Sequence, residues 1–189
     1  VCLPGPRASR PIGTLWWPRV PKREPGATPI PAAVRWISGL LVIVPLYAAL
    51  VLLLRLGVEY LIFTLLIVWA ADAGAYFAGK KFGRVKLAPA ISPGKTWEGV
   101  VGGLLLVAVL AIVVGLWKEL DIAVLLPFFL AVAAISIIGD LTVSMFKRTA
   151  GVKDSGALFP GHGGVLDRVD SVAAAAPLFA LGVGWLGLA

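Results

Sequence analysis

The chain has 189 residues, 59% of them hydrophobic and 14% charged, against about 45–50% and about 25% in an ordinary soluble domain, which argues against a water-soluble globule. Seventeen Lys and Arg against ten Asp and Glu give a formal charge of +7, so anionic partners are expected: phospholipid headgroups, nucleotides or nucleic acid. One cysteine, Cys2, excludes an intrachain disulfide, and the single His162 excludes a zinc site built from several Cys and His.

In chain order, the first segment holds eight of the fourteen prolines between Val1 and Pro31, with Arg7, Arg10, Arg19, Lys22 and Arg23 and no sustained apolar period. Residues 1–35 read as a basic, Pro-rich, mostly irregular arm. Pro11 and Pro18 interrupt the one candidate signal-peptide core near Leu15 to Trp17. The chain starts with Val rather than Met, which suggests a processed or truncated start.

Residues 36–189 read as a membrane-embedded domain. Five apolar runs, Trp36 to Leu54, Tyr60 to Ala78, Val100 to Trp117, Ile122 to Gly139 and Val172 to Leu188, are each seventeen to nineteen residues long. A helix crossing the hydrocarbon layer needs about 17–25 residues, and continuous apolarity excludes the alternation of barrel strands. The expected fold is an all-α, polytopic transmembrane bundle of about five spans. Pro45, Pro127 and Pro177 fall inside spans and should kink them, while Gly99 and Gly103 could permit close helix contact.

The charges provide an independent check on the span count. Fifteen of the seventeen basic residues lie before the first span, from Lys80 to Lys95, and from Lys147 to Arg168; the alternate segments carry only Arg55 and Lys118. This parity fits five crossings with the N-terminus and both long polar segments in the cytoplasm.

Three regions carry chemistry. Asp72 lies within the second span, where an ionised group is expected to face protein or water; pairing with Lys80 or Lys81 is the alternative to a functional role. The loop from Lys80 to Glu98 contains Ser92, Pro93, Gly94, Lys95 and Thr96. It lacks the earlier glycine and preceding strand of a P-loop, leaving a short basic segment that could hold phosphate at the start of the third span or simply attract acidic lipid. The segment from Ser144 to Asp170, read as a long loop, holds Lys147, Arg148, Lys153, Asp154, His162, Gly163, Gly164, Asp167, Arg168 and Asp170, with Asp140 upstream. Asp167 and Asp170 are three apart and share a helix face if the last helix begins near Gly164; with Asp140 they form an oxygen-donor set suited to magnesium. The alternative is an exposed salt-bridge network contributing little.

The stretch from Ser144 to Asp170 resembles the signature of the phosphatidate cytidylyltransferase family, also called CDP-diacylglycerol synthases. The resemblance rests on Ser144, Lys147 with Arg148, Lys153 with Asp154, Pro160, His162 to Gly164, Asp167, Arg168 and Asp170. Asp72, Gly74, Ala75 and Tyr76, then Ser92, Pro93 and Lys95 to Gly99, and finally Gly139 with Asp140, are similar to the family's other motifs. Ala73 stands where a hydroxyl residue is usual, and the family generally has more membrane helices ahead of the first motif, so a chain lacking N-terminal helices is expected.

The resemblance implies that phosphatidate and CTP yield CDP-diacylglycerol and pyrophosphate in a bacterial-type inner membrane. It makes Asp140, Asp167 and Asp170 cation ligands for Mg2+, with room for a second cation. It also implies that Ser92, Lys95, Thr96, Lys147, Arg148, Lys153 and Arg168 hold substrate phosphates, with Asp72 and Asp154 in supporting positions and Ser144, His162, Gly163 and Gly164 beside substrate. Asp140, Lys147, Arg148, Asp167, Arg168 and Asp170 form the expected catalytic set. A homodimer is compatible, and nucleic acid is not an expected partner. A CTP-dependent enzyme acting on another lipid phosphate or lipid alcohol, a transporter, and an inactive fragment are the competing readings. A polar groove between the second, fourth and fifth spans is the expected route for the lipid headgroup.

Overall fold

The computed structural model describes residues 32–89, 91–149 and 166–187, with the side chains of 32–36, 38, 149 and 166–168 outside the description. Five helices, α1 (Ala32–Leu56), α2 (Val58–Phe82), α3 (Trp97–Lys118), α4 (Ile122–Thr149) and α5 (Leu166–Trp185), are joined between α2 and α3 by a hairpin of β1 (Lys86–Ala88) and β2 (Ser92–Thr96). Among the described residues, four helices contain stretches long and apolar enough to cross a membrane: Gly39–Leu56, Val58–Phe82, Trp97–Lys118 and Ile122–Arg148. The fifth has a shorter apolar stretch, Val169–Trp185, close to the lower limit of about 17 residues for a crossing. Pro45, Pro127 and Pro177 each lie inside a continuous helix.

These helices carry large apolar side chains outward as well as inward, among them Leu41, Tyr47, Phe77, Leu116 and Trp117. Helices apolar around their circumference suit a lipid solvent. Inside, Leu53, Ile67, Val107, Leu125, Phe129, Val132, Phe179 and Val183 form the core, drawn from all five helices. Phe128 stacks on Phe179 with ring centroids 5.3 Å apart, tying α4 to α5. The buried hydroxyls of Thr64 and Ser136 donate to the carbonyls of Tyr60 and Ala133, at 2.9 Å each, so neither brings an unsatisfied group into the core.

The tightest seam lies between α2 and α3. A Cβ at Gly74 would sit 2.7 Å from the Gly102 carbonyl oxygen, and one at Gly103 would sit 2.6 Å from that of Ala71. Gly99 faces the Ala75 carbonyl in the same way. The small-residue pair at 99 and 103 therefore does permit backbone approach, and Gly74 and Gly102 extend it. Gly57, at φ 154, makes a one-residue connection from α1 to α2 in a conformation that side-chain-bearing residues rarely adopt.

The helix limits differ from the apolar runs chiefly in α4. The run ends at Gly139, whereas the helix continues to Thr149. Ser144, Lys147 and Arg148 are thus helical, and the segment expected as one loop from 144 to 170 is the end of α4, residues 150–165 outside the description, and the first turn of α5.

Candidate functional site

The end of the bundle built from the C-terminal turns of α2 and α4, the start of α3 and the start of α5 gathers the polar residues. The hairpin is anchored there by apolar contact. Ala88 and Ile91, with Leu87, pack against Ile137, Leu141 and Met145, which recur every four residues and so share one face of α4. Arg148, one turn further, donates from Nε to the Ile91 carbonyl at 3.2 Å. At the hairpin's other end, Trp97 N donates to the Val85 carbonyl at 3.0 Å, and Val85 N donates to the Glu98 carboxylate at 3.1 Å.

This anchoring delivers Lys95 to Asp140, with which it forms an ion pair. Ser144, one turn along α4, donates to Asp140 Oδ1 at 3.3 Å. A second pair joins Lys147 Nζ to Asp170 Oδ2 at 3.8 Å, and Asp170 Oδ1 accepts from Ser171 N at 2.9 Å. The Lys147 and Asp170 side chains are only 15% and 13% exposed, so this pair is not a solvated surface bridge of negligible effect. Asp72 and Asp170 both lie within electrostatic range of Asp140 and Lys95. Lys80 and Lys81 instead stand over the rings of Tyr76 and Phe82, 5.6 and 5.2 Å from the centroids. Asp72 thus shares its surroundings with Lys95, which attracts it, and Asp140, which repels it.

A recess of about 310 Å³ opens between α2, the hairpin, α3 and α4, lined by Asp72, Tyr76, Ser92, Gly94, Lys95 and Thr96. Thr96 is 5% exposed and its Oγ1 accepts from Gly99 N at 3.1 Å, capping α3. That structural task was not evident from its place in the Gly-Lys-Thr run, although Thr followed by a helix is its available sequence signal. A second hollow, also about 310 Å³, lies between α1, α4 and α5; it is apolar, lined by residues such as Leu41, Pro45, Ile138 and Phe146, with Asp170 at its edge. Of the described carboxylates, Asp72 lines the first hollow and Asp170 the second.

Of the expected site residues, the structure brings together Asp72, Ser92, Lys95, Thr96, Asp140, Ser144, Lys147, Arg148 and Asp170. Lys153, Asp154, His162, Gly163 and Gly164 lie outside the described residues. Asp167 and Arg168 are on the first turn of α5, with their side chains outside the description. Among the described residues no three metal-ligating side chains converge on one point. Asp140 and Asp170, which repel one another electrostatically and are each paired with a lysine, are hard oxygen donors of the type magnesium takes, one or two carboxylates completed by water and phosphate oxygens.

A family model described as the cytidylyltransferase family matches residues 26–185. The chain is 53% identical over 129 residues to a phosphatidate cytidylyltransferase of Haemophilus influenzae, covering 65% of this chain and 45% of the relative. It is 50% identical over 147 residues to one of Pseudomonas aeruginosa, covering 75% and 54%, and 45% identical over 124 residues to one of Staphylococcus saprophyticus, covering 65% and 48%. The chain spans about half the length of the curated relatives it matches.

Proposed function

The chain belongs to the cytidylyltransferase family, and on that premise we propose that it transfers the cytidylyl group of CTP to phosphatidate, giving CDP-diacylglycerol and pyrophosphate. The observation that carries this reading is the Lys95–Asp140 pair at a recess shared with Asp72 and Ser92, at the charged end of an apolar bundle. A lipid phosphate and a soluble polyanion can both reach such a place.

The phosphate monoester of phosphatidate is already a nucleophile. Its oxygen bonds to the α-phosphorus of CTP as the bond from that phosphorus to the bridging β-phosphate oxygen breaks, and pyrophosphate leaves with the electron pair. No covalent enzyme intermediate is required, so alignment and charge neutralisation are the main tasks. Lys95 and Ser92 hold nucleotide phosphates in the recess, with the Asp140 carboxylate holding Lys95 in position until phosphate arrives. Lys147 supplies charge on the α5 side, and Arg148 holds the hairpin in place. Asp140 and Asp170, with Asp167, are the residues that would hold magnesium, which supplies neutralisation of phosphate charge. Lys153, Asp154, His162, Gly163, Gly164 and Arg168 enter the proposal through the family resemblance alone, as does assembly as a homodimer. The charge partition supports placing this end on the cytoplasmic side of a bacterial-type inner membrane.

The test is reconstitution of the chain with labelled CTP, phosphatidate and magnesium, beside a full-length relative and the Asp167→Asn variant. Lipid-linked CMP from the parent but not from D167N is expected. No product from the chain while the full-length relative is active would refute the activity for this chain.

A further inference from the structure

The connection from α2 to the hairpin carries a cluster that the site above does not use. α2 has 25 residues, about 37 Å at 1.5 Å per residue, against a hydrocarbon layer of about 30 Å, so its last turn can reach headgroup level. Lys80, Lys81, Arg84 and Lys86 follow one another there, all exposed. Glu98, beside them, accepts the Val85 N–H and attracts Arg84. Tyr76, Phe77, Phe82 and Trp97 are exposed rings around the cluster, with Lys80 over Tyr76 and Lys81 over Phe82.

Cations above a belt of aromatic rings match the layering of an anionic phospholipid, phosphate outermost and glycerol beneath. We propose that Lys80, Lys81, Arg84 and Lys86, with Tyr76 and Trp97, form a collecting surface for anionic phospholipid headgroups. Tyr76 also lines the recess, so lipid gathered on this surface stands at the recess mouth. The local enrichment applies to any anionic phospholipid and needs no transfer reaction, so it stands or falls separately from the proposed activity.

The experiment uses the full chain in phosphatidylcholine vesicles and compares the motionally restricted fractions of spin-labelled phosphatidylglycerol and phosphatidylcholine. A preference of about fivefold for phosphatidylglycerol is expected, the factor equivalent to one full lysine–lipid attraction, decreasing with added salt. It should fall to near parity in K80Q/K81Q/R84Q/K86Q, survive in the charge-preserving K80R/K81R/K86R, and survive in Lys118→Gln, whose lysine is paired with Glu59 at the other end of the bundle. The proposal is overturned by a preference unchanged in the quadruple variant, by equal loss in K118Q, or by millimolar glycerol phosphate abolishing it, which would identify a soluble-phosphate site instead. Retention by the arginine variant separates loss of charge from loss of fold.

Discussion

Arg148 reaches from the last turn of α4 to the main-chain carbonyl of Ile91, 57 positions earlier in the chain, with Nε and oxygen 3.2 Å apart. The bond closes the hairpin against a helix face already occupied by Leu141 and Met145. A charge-assisted hydrogen bond of this kind contributes about 1.5–3 kcal/mol. Arg148→Ala should therefore raise amide hydrogen exchange across β1 and β2 by about ten- to a hundredfold while leaving α2 and α3 protected. Lysine should restore little, because it lacks the planar guanidinium that presents Nε in this direction. Unchanged exchange in the hairpin would show that apolar packing alone holds it.

The helical bundle was legible because its signal is redundant: long apolar runs and alternating loop charge impose the same count. The last ten residues of α4 were not, since an apolar run ends where lipid ends, whereas the helix continues because the hairpin covers Leu141 and Met145. The hairpin itself was invisible. Ser92, Pro93, Gly94, Lys95 and Thr96 include no alternating β-branched pattern, and their strand pairs with β1, whose Ala88 packs with Ile91 against α4. Asp72, Lys95, Asp140 and Asp170 could be named as polar residues in an apolar chain. Which lysine met which carboxylate could not, because Lys95 and Asp140 are 45 positions apart and no local spacing relates them.

The α2–α3 seam makes a sharper stability prediction than any core side chain. Gly74→Ala adds one methyl group facing backbone atoms of Gly102 and Gly103 at 2.7 and 2.9 Å, and backbone cannot swing aside as a flexible side chain can. Overpacking of this type costs about 1–3 kcal/mol. Thermal denaturation in detergent should show a clear loss for G74A and little change for Gly39→Ala, where no atom lies within 4 Å of the added carbon. Equal melting temperatures for the two variants would mean that the helices separate without difficulty.

Orientation in the membrane is testable with one engineered cysteine at each end, in a Cys2→Ser background. Arg84 lies beside the recess end, and Glu119 follows the Lys118–Glu59 bridge at the other. With the basic segments cytoplasmic, a membrane-impermeant maleimide should label Glu119→Cys in intact cells and Arg84→Cys only after permeabilisation. The reverse pattern would invert the topology and remove the recess from the cytoplasmic nucleotide pool.

The Lys95–Asp140 pair lets fold and chemistry be separated. Both side chains are largely withdrawn from solvent, at 27% and 22% exposure, so removing one partner strands the other. Lys95→Met leaves Asp140 near two further carboxylates, Asp72 and Asp170, with Lys95 no longer present to offset them; Asp140→Leu leaves a lysine in a recess without its counterion. Each single change should lower stability by about 3–5 kcal/mol if the pair behaves as buried, and less to the extent that water reaches it. The double variant, with two apolar groups replacing two charges, should recover most of that loss, so the coupling in a double-mutant cycle should exceed either single loss. Under the proposed function, cytidylyl transfer should not recover, because phosphate binding needs the ammonium whether or not the fold does. Melting temperature and labelled-CTP incorporation measured on the same four proteins check this: recovery of both would make the pair a structural bridge alone, and recovery of stability without activity assigns Lys95 to the substrate.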